Sequence, residues 1–497
     1  MKWTKSWWIA AAMPLLLAGG CAAFPKSAPT EFTQDYRCWD VKTNDQCDYF
    51  QYLDPSGRVV ALGYDDDRDG QPEIRIELAD SCSDDQCPHY VILLDGIPYS
   101  LVKQLYDEGG FRLFHPPSRL VSCFPSMTDL AFSQMYTPGE PLGFEALWYN
   151  PEKGKVEGGK LAYLSETNAP WQKFLDYRVS MILDAVGYVS PGWLLDQELG
   201  GIERTFNRRR DGTVTAYCLG TATVGTRKGA EGLVKALKKV DRLCEKIMYQ
   251  RRGRCRFTIA ADHGHNLTAA THFEMEDALE TVGFNPTDRL KDPNDVVAIE
   301  FGLVTYSAIY TTRPAAVADA MLPLEPIALA AYVDPADSTW VTVRNRDGSA
   351  RITRTATGYV YQTQQGDPLE LAPIVEQLAA AGKVGPDGAI DDEALFLATV
   401  DHKYPDPLNR VYTAFHGLVR NPPNLILTVK DGWFCGAEDL AESVNVASTH
   451  GSLRQLDSVT LVMSTIRPLP PAVRIADLLE VFPPMRPEEY PGETTTP

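Results

Sequence analysis

Phe257-Thr258-Ile259-Ala260-Ala261-Asp262-His263-Gly264 is a largely apolar run that stops abruptly on an aspartate, a histidine and a glycine. Val91-Ile92-Leu93-Leu94-Asp95-Gly96 repeats the pattern earlier in the chain. Continuous apolar runs of this length are the mark of strands buried on both faces of a parallel sheet. A polar residue just beyond the carboxyl end of such a strand lies in the crevice where open α/β sheets bind ligands. Between the two runs, Leu233, Leu237, Val240, Cys244 and Ile247 recur at helical spacing, so Gly229 to Tyr249 is predicted to be an amphipathic helix feeding the second strand. The predicted fold class is therefore α/β, a mostly parallel sheet sandwiched by helices.

Outward from this frame, residues 36–88 read as a small, acidic, β-rich portion, and residues 89–480 as the main domain. A long interval separates Asp262-His263-Gly264 from His450, enough for an inserted α+β subdomain over about 296–440. Within it, Val341 to Val360 alternates around the Asn345-Arg346-Asp347-Gly348 turn, which predicts a β-hairpin. The acidic, Pro-rich end, residues 481–497, reads as a disordered tail.

At the other end, Lys2 and Lys5 precede an apolar stretch from Trp7 to Ala18 that runs into Leu17-Ala18-Gly19-Gly20-Cys21. About a dozen apolar residues are too few to span a bilayer, so residues 1–20 read as a secretory signal peptide. Small residues leading into a cysteine resemble a bacterial lipobox, which makes Cys21 the expected site of lipidation, palmitate included; an ordinary signal with a chance cysteine is the other reading. Residues 21–35 then form a tether, and the protein is expected at the cell envelope, anchored to the membrane and facing the periplasm or the exterior. The chain has 10 cysteines, and in an oxidising compartment the short spacings favour disulfide bonds Cys38–Cys47 and Cys82–Cys87.

Composition is ordinary for a globular chain, at 44% hydrophobic and 23% charged residues, while the net charge of -19 argues against a nucleic-acid partner. Within the N-terminal portion, Asp65, Asp67 and Asp69 alternate ahead of Gly70 and Glu73, a set of hard oxygen donors that suits Ca²⁺. An acidic hairpin turn without a metal is the competing reading.

Four motifs in order, LLDGIP (Leu93 to Pro98), FPSMTDLAF (Phe124 to Phe132), ADHGHN (Ala261 to Asn266) and STHGSL (Ser448 to Leu453), resemble the alkaline phosphatase superfamily, in its type I phosphodiesterase and nucleotide pyrophosphatase branch. The resemblance implies that Thr128 is the nucleophile and that Asp95, Thr128, Asp262 and His263 hold an activating metal. Residue chemistry agrees. A threonine hydroxyl is a weak nucleophile until a cation or base lowers its pKa, and carboxylates with an imidazole suit Zn²⁺ or Mn²⁺. Pro125 and the apolar pattern Leu130, Ala131, Phe132, Met135 place Thr128 at a helix N-terminus, where N–H groups can hold a phosphate oxygen. As isolated residues, Thr128 would be a helix cap, and Asp95 and Asp262 strand-end turn formers.

The departure from the family lies in Leu219-Gly220-Thr221-Ala222-Thr223-Val224-Gly225-Thr226. Two-metal relatives carry Asp-x-x-Gly-His here, and in this chain the Asp and His positions fall on Ala222 and Thr226, a depleted second metal site that leaves His450 without partners. Ser165 to Pro170 is a minor alternative placement of that element. Two functions remain open. One is an envelope lipoprotein acting as a phosphodiesterase or phosphotransferase on a phosphate ester of unknown identity, with Thr128 as nucleophile, one divalent transition metal and His450 binding phosphate or protonating the leaving group. The other is a catalytically impaired pseudoenzyme serving as a metal-binding or scaffold lipoprotein. His265 is read equally as ligand and as bystander; His89, His115, His272, His402 and His416 carry no motif.

Overall fold

The computed structural model describes residues 28–43, 45–67, 69–82, 87–137, 139–165, 167–180, 187, 189–334 and 336–487. The signal peptide, Cys21, the first part of the tether, Glu166 and residues 488–497 lie outside the described residues. The chain divides into two compact units, Met1–Glu77 and Leu78–Pro497.

In the first unit, Glu31–Phe32, Tyr36–Trp39, Tyr49–Leu53, Val59–Tyr64 and Ile74–Glu77 form an antiparallel sheet in sequence order. Trp39, Tyr49 and Leu62 are buried in it. The expected Cys38–Cys47 disulfide is present. Two boundaries need correction. Glu31–Phe32 pairs with Arg37 and Cys38, so the tether ends before residue 31, a two-residue strand being too short to show a period. The β-rich portion also ends at Glu77, not at residue 88; the segment that follows, with its expected Cys82–Cys87 disulfide, belongs to the second unit.

The second unit is built on a six-stranded sheet in the order Thr213–Cys218, His89–Leu94, Arg256–Ala261, Val459–Ser464, Ser118–Val121, Ala472–Arg474. Only Val459–Ser464 runs antiparallel to its neighbours. Every residue of His89–Leu94 is buried, as the apolar run predicts. Alternate side chains leave opposite faces. Tyr90 stacks on Phe206 of helix Pro191–Arg208 at a ring distance of 4.3 Å, whereas Val91 and Leu93 join Leu130, Phe132 and Met135 of helix Thr128–Tyr136 in one core. Helices therefore cover both faces, as the α/β reading requires.

The predicted helix from Gly229 begins earlier, over Gly220–Gln250, and is broken at Gly229, whose φ of 56° and ψ of -150° suit glycine alone. The apolar spacing marked only the part beyond that break. The insert is larger than the sequence suggests: a nine-stranded, largely antiparallel sheet starts at Asn285–Pro286, and it contains the expected hairpin of Val341–Arg344 and Ser349–Arg354. Its Val297, Tyr306 and Ile426 share the core of the first sheet. The expected tail also begins too early. Leu478–Val481 is helical, Phe482 and Met485 are fully buried, and the Pro484 carbonyl pairs with His89 Nδ1 at 2.8 Å, so this part of the expected tail is packed on the domain. Among the described residues no helix is long and apolar enough to cross a membrane.

Candidate metal centre

Parallel pairing sets Leu94 opposite Ala261, so Asp95 and Asp262 leave adjacent strands at the same carboxyl edge. Gly96 turns the chain away with a φ of 67°, and a Cβ there would lie 2.5 Å from His265 Nε2; no side chain fits. The Gly96 N–H donates to Asp262 Oδ1 at 2.9 Å and the His263 N–H to the same atom at 2.8 Å, so Oδ2 of that carboxylate is left facing the site. Thr128 opens helix Thr128–Tyr136, and its Oγ1 lies 3.4 Å from Asp95 Oδ2 and 3.3 Å from His263 Nε2. His263 Nε2 lies 3.6 Å from Asp95 Oδ1 and 3.4 Å from Asp262 Oδ2. The four residues that the motifs single out thus meet at one point, although they come from three separate elements.

The donor set fits a metal. Asp95, Asp262 and His263 each offer a ligand atom within 4.8 Å of the others, all buried. Asp95 Oδ1 and Asp262 Oδ2 have no hydrogen-bond partner, an expensive arrangement for buried carboxylate oxygens unless a cation satisfies them. His263 Nδ1 donates to the Gly264 carbonyl at 2.9 Å, which fixes the tautomer and leaves the Nε2 lone pair aimed at the carboxylates. Burial has the expected electrostatic result: Asp262 is pushed up to about 6, Asp95 is raised well above the ordinary carboxylate range by burial and then by Asp262, and His263 is held down at about 4 by burial.

Three supporting groups are not singled out by the sequence reading. Tyr217, on the strand beside Asp95, donates its hydroxyl to Asp95 Oδ2. Its ring is fixed edge-on to Trp171 at 5.2 Å and to Phe132 at 6.0 Å. Glu198 is buried and accepts from the N–H groups of Leu219 (3.0 Å) and Gly220 (2.7 Å), capping the helix that carries Ala222 and Thr226. Asp129, next to Thr128, accepts from Trp171 Nε1 at 2.9 Å.

A cavity of about 600 Å³ opens beside Thr128 and is bounded by Asp95, Ala222, Thr226 and His450, with Phe144, Trp171 and Phe301 among its apolar walls. Ala222 and Thr226 therefore face the same space as Thr128, and they bring a methyl and a hydroxyl to it. The Thr226 carbonyl accepts from the Ala447 N–H at 2.7 Å, which ties this helix to the loop carrying His450. His450 stacks on His263 at 3.9 Å and donates from Nδ1 to the Ser126 carbonyl at 2.9 Å. Burial and then His263 hold it down at about 3.

His265 is buried behind this site, with Nδ1 paired to Ser448 Oγ at 2.6 Å and its ring against Gly96. Asn168 of the alternative element holds the N–H groups of Leu142 (2.6 Å) and Gly143 (3.2 Å) and donates to the Gly143 and Glu145 carbonyls, a structural role that consumes its amide. In the first unit, carboxylate oxygens of Asp65, Asp67, Asp69 and Glu73 also lie within 4.8 Å of one another. The loop is held by its own backbone as well: the Gly70 N–H donates to Asp65 Oδ2 at 2.8 Å and the Asp66 N–H to Glu73 Oε2 at 2.8 Å.

The chain matches no family model and no curated protein. Its structure is similar to that of human ectonucleotide pyrophosphatase/phosphodiesterase 5, at 10% identity over 79% of this chain and 92% of that one, with a TM-score of 0.42. The murine protein of the same name, in an inactive form in complex with AMP, aligns at 10% identity over 80% of this chain and 93% of that one, with a TM-score of 0.43. Phosphonoacetate hydrolase from Sinorhizobium meliloti 1021, in complex with phosphonoformate, aligns at 10% identity over 79% and 94%, with a TM-score of 0.42.

Proposed function

We propose that this chain is a phosphodiesterase or phosphotransferase that uses Thr128 as nucleophile and one divalent transition metal, Zn²⁺ or Mn²⁺, held by Asp95, Thr128, Asp262 and His263. The observation that carries the reading is the convergence of three buried ligand atoms, two of them otherwise unpartnered, on the hydroxyl of a threonine at a helix N-terminus. When bound, such an ion supplies Lewis-acid polarisation and lowers the pKa of the threonine hydroxyl.

The chain's own residues supply the remainder. Thr128 Oγ1 attacks phosphorus and loses its proton, the ester oxygen departs and takes up a proton, and a phosphothreonine results. Water or an acceptor alcohol then attacks that phosphorus and frees Thr128. N–H groups at the start of helix Thr128–Tyr136 lie where a phosphate oxygen would be held. His450 lines the cavity with its Nδ1 committed to Ser126; an anionic phosphate beside it would offset the burial that keeps it neutral, so that it could bind the phosphate or protonate the leaving oxygen. Tyr217 keeps Asp95 in register.

The test is hydrolysis of bis(4-nitrophenyl) phosphate with Mn²⁺ or Zn²⁺, compared with Thr128→Ala, together with the metal content of the purified protein. One equivalent and activity lost in Thr128→Ala support the reading; two tightly bound ions overturn its one-metal form. Ala222 and Thr226 favour one competing reading, a pseudoenzyme that binds metal as an envelope scaffold, and it predicts one equivalent with no turnover. We also propose that the mature protein begins at acylated Cys21 in the cell envelope. Mass spectrometry of the membrane fraction should find a lipid-modified Cys21, and an unmodified cysteine would remove the claim. Ca²⁺ is proposed for the Asp65, Asp67, Asp69, Glu73 loop, to be read as a Ca²⁺-dependent rise in thermal stability.

A further inference from the structure

We infer that Arg410, which comes from the insert rather than from the sheet that carries the site, is a positioning residue for Thr128. The inference rests on the reading of Thr128 as nucleophile. Helix Pro407–Phe415 places the Arg410 guanidinium, 3% exposed, against the loop that leads into Thr128. It makes six hydrogen bonds: to the Cys123 carbonyl from Nε (3.3 Å) and Nη2 (2.8 Å), to Ser126 Oγ (3.1 Å), to Ser458 Oγ (2.7 Å), to the Pro405 carbonyl (3.0 Å) and to the Leu453 carbonyl (3.2 Å). Every acceptor is a neutral oxygen. Burying a cation without a directly bonded carboxylate is costly, and the planar fork of arginine is the side chain that can serve so many acceptors at once.

Apart from Pro405, which lies just ahead of Arg410's own helix, the acceptors belong to the two segments that define the site. Cys123 and Ser126 precede Thr128, while Leu453 and Ser458 follow His450. Ser126 is the hinge point between them: its N–H donates to the Gly451 carbonyl at 3.2 Å, and its carbonyl receives His450 Nδ1 at 2.9 Å. Behind this loop lies a second cavity, of about 290 Å³, lined by Ser122, Cys123, Phe124, Asp406, Arg410 and Arg474. The loop is therefore not backed by close packing on that side, and hydrogen bonds from Arg410 set where Thr128 and His450 sit. Nothing in the motifs marks this residue.

Arg410→Lys keeps the charge and loses the fork. With bis(4-nitrophenyl) phosphate, kcat should fall about 100-fold, the cost of an ångström-scale misplacement of a reacting group, while KM changes less than about threefold and metal content stays at one equivalent. In the Co²⁺-loaded protein the visible spectrum should shift, because Thr128 moves relative to the ion; a residue that merely supports folding would lower thermal stability and leave both readouts alone. Arg410→Gln is the more severe variant, and if it fails to fold, Arg410→Lys decides. Wild-type kcat and an unaltered Co²⁺ spectrum in Arg410→Lys overturn the role of Arg410 while the reading of the site stands. If the wild type binds metal without turnover, the Co²⁺ spectrum alone decides. A wild type that neither turns over nor takes up metal removes the site and Arg410 together.

Discussion

Tyr217→Phe deletes one oxygen atom and tests whether Asp95 is tuned for a cation. The ring is clamped edge-on by Trp171 and Phe132, so it should stay in place when the hydroxyl goes. What is lost is the hydrogen bond to Asp95 Oδ2. Its worth differs between the two states of the site. Without metal, burial and then the neighbouring Asp262 raise Asp95 well above the ordinary carboxylate range, which favours its neutral form, and a neutral hydrogen bond contributes about 1 kcal/mol. With metal the carboxylate is ionised, and a bond to a charged acceptor contributes about 1.5–3 kcal/mol. The difference falls on metal binding, where loss of such an outer-shell partner costs about 10–100-fold in affinity. Titration against a chelator should therefore show Kd rising by about that factor, while the melting temperature of the metal-free protein drops by only a few degrees. If Tyr217→Phe binds Zn²⁺ or Mn²⁺ as tightly as the wild type, Asp95 is not a ligand in the way argued.

Replacing His263 with Ala should abolish metal binding, whereas His450→Ala should retain most of it, because His450 pairs with Ser126 and has no ion to coordinate in a one-metal site; equal losses in an equilibrium metal titration would contradict this. Metal affinity should weaken as pH falls, by about tenfold per pH unit for each proton displaced, because Asp95, raised well above the carboxylate range by burial and then by Asp262, and Asp262, raised by burial to about 6, must both lose their protons to bind. His263, lowered to about 4, is neutral above that value and adds no competing proton there, so affinity that rises on acidification would refute the assignment. Glu198→Ala should destabilise the fold by about 2–4 kcal/mol, since the N–H groups of Leu219 and Gly220 lose their buried acceptor; an unchanged denaturant midpoint would show that the helix start is satisfied in some other way.

The central strands were legible because both faces of each are covered, so the apolar code has no polar alternation to blur it. That Asp95, Thr128, Asp262 and His263 would meet was legible because strand ends and a helix start put side chains at predictable places. The short-range disulfides were readable for a related reason: residues 9 and 5 positions apart need little chain closure. Tyr217, Glu198 and Arg410 were not legible, since each acts on a residue distant in sequence, and a tyrosine in a strand or an arginine in a helix is unremarkable by local pattern. The boundaries that moved did so for physical reasons too. Phe482 and Met485 anchor a segment whose prolines and acidic residues suggested disorder, and Glu31–Phe32 gains its structure from a neighbour rather than from its own two residues.

Strand Val459–Ser464 lies between Arg256–Ala261 and Ser118–Val121 in the first sheet, yet the whole nine-stranded sheet is made before it. During synthesis, Arg256–Ala261 and Ser118–Val121 must wait with unpaired edges until the last part of the chain arrives. Pairing of such high sequence separation is slow and leaves apolar strand edges open to other chains. Fragments that stop before residue 459 should thus be prone to aggregate rather than be merely inactive, and the His450 loop and the strand that closes the sheet arrive together. The site is assembled only as the fold is sealed.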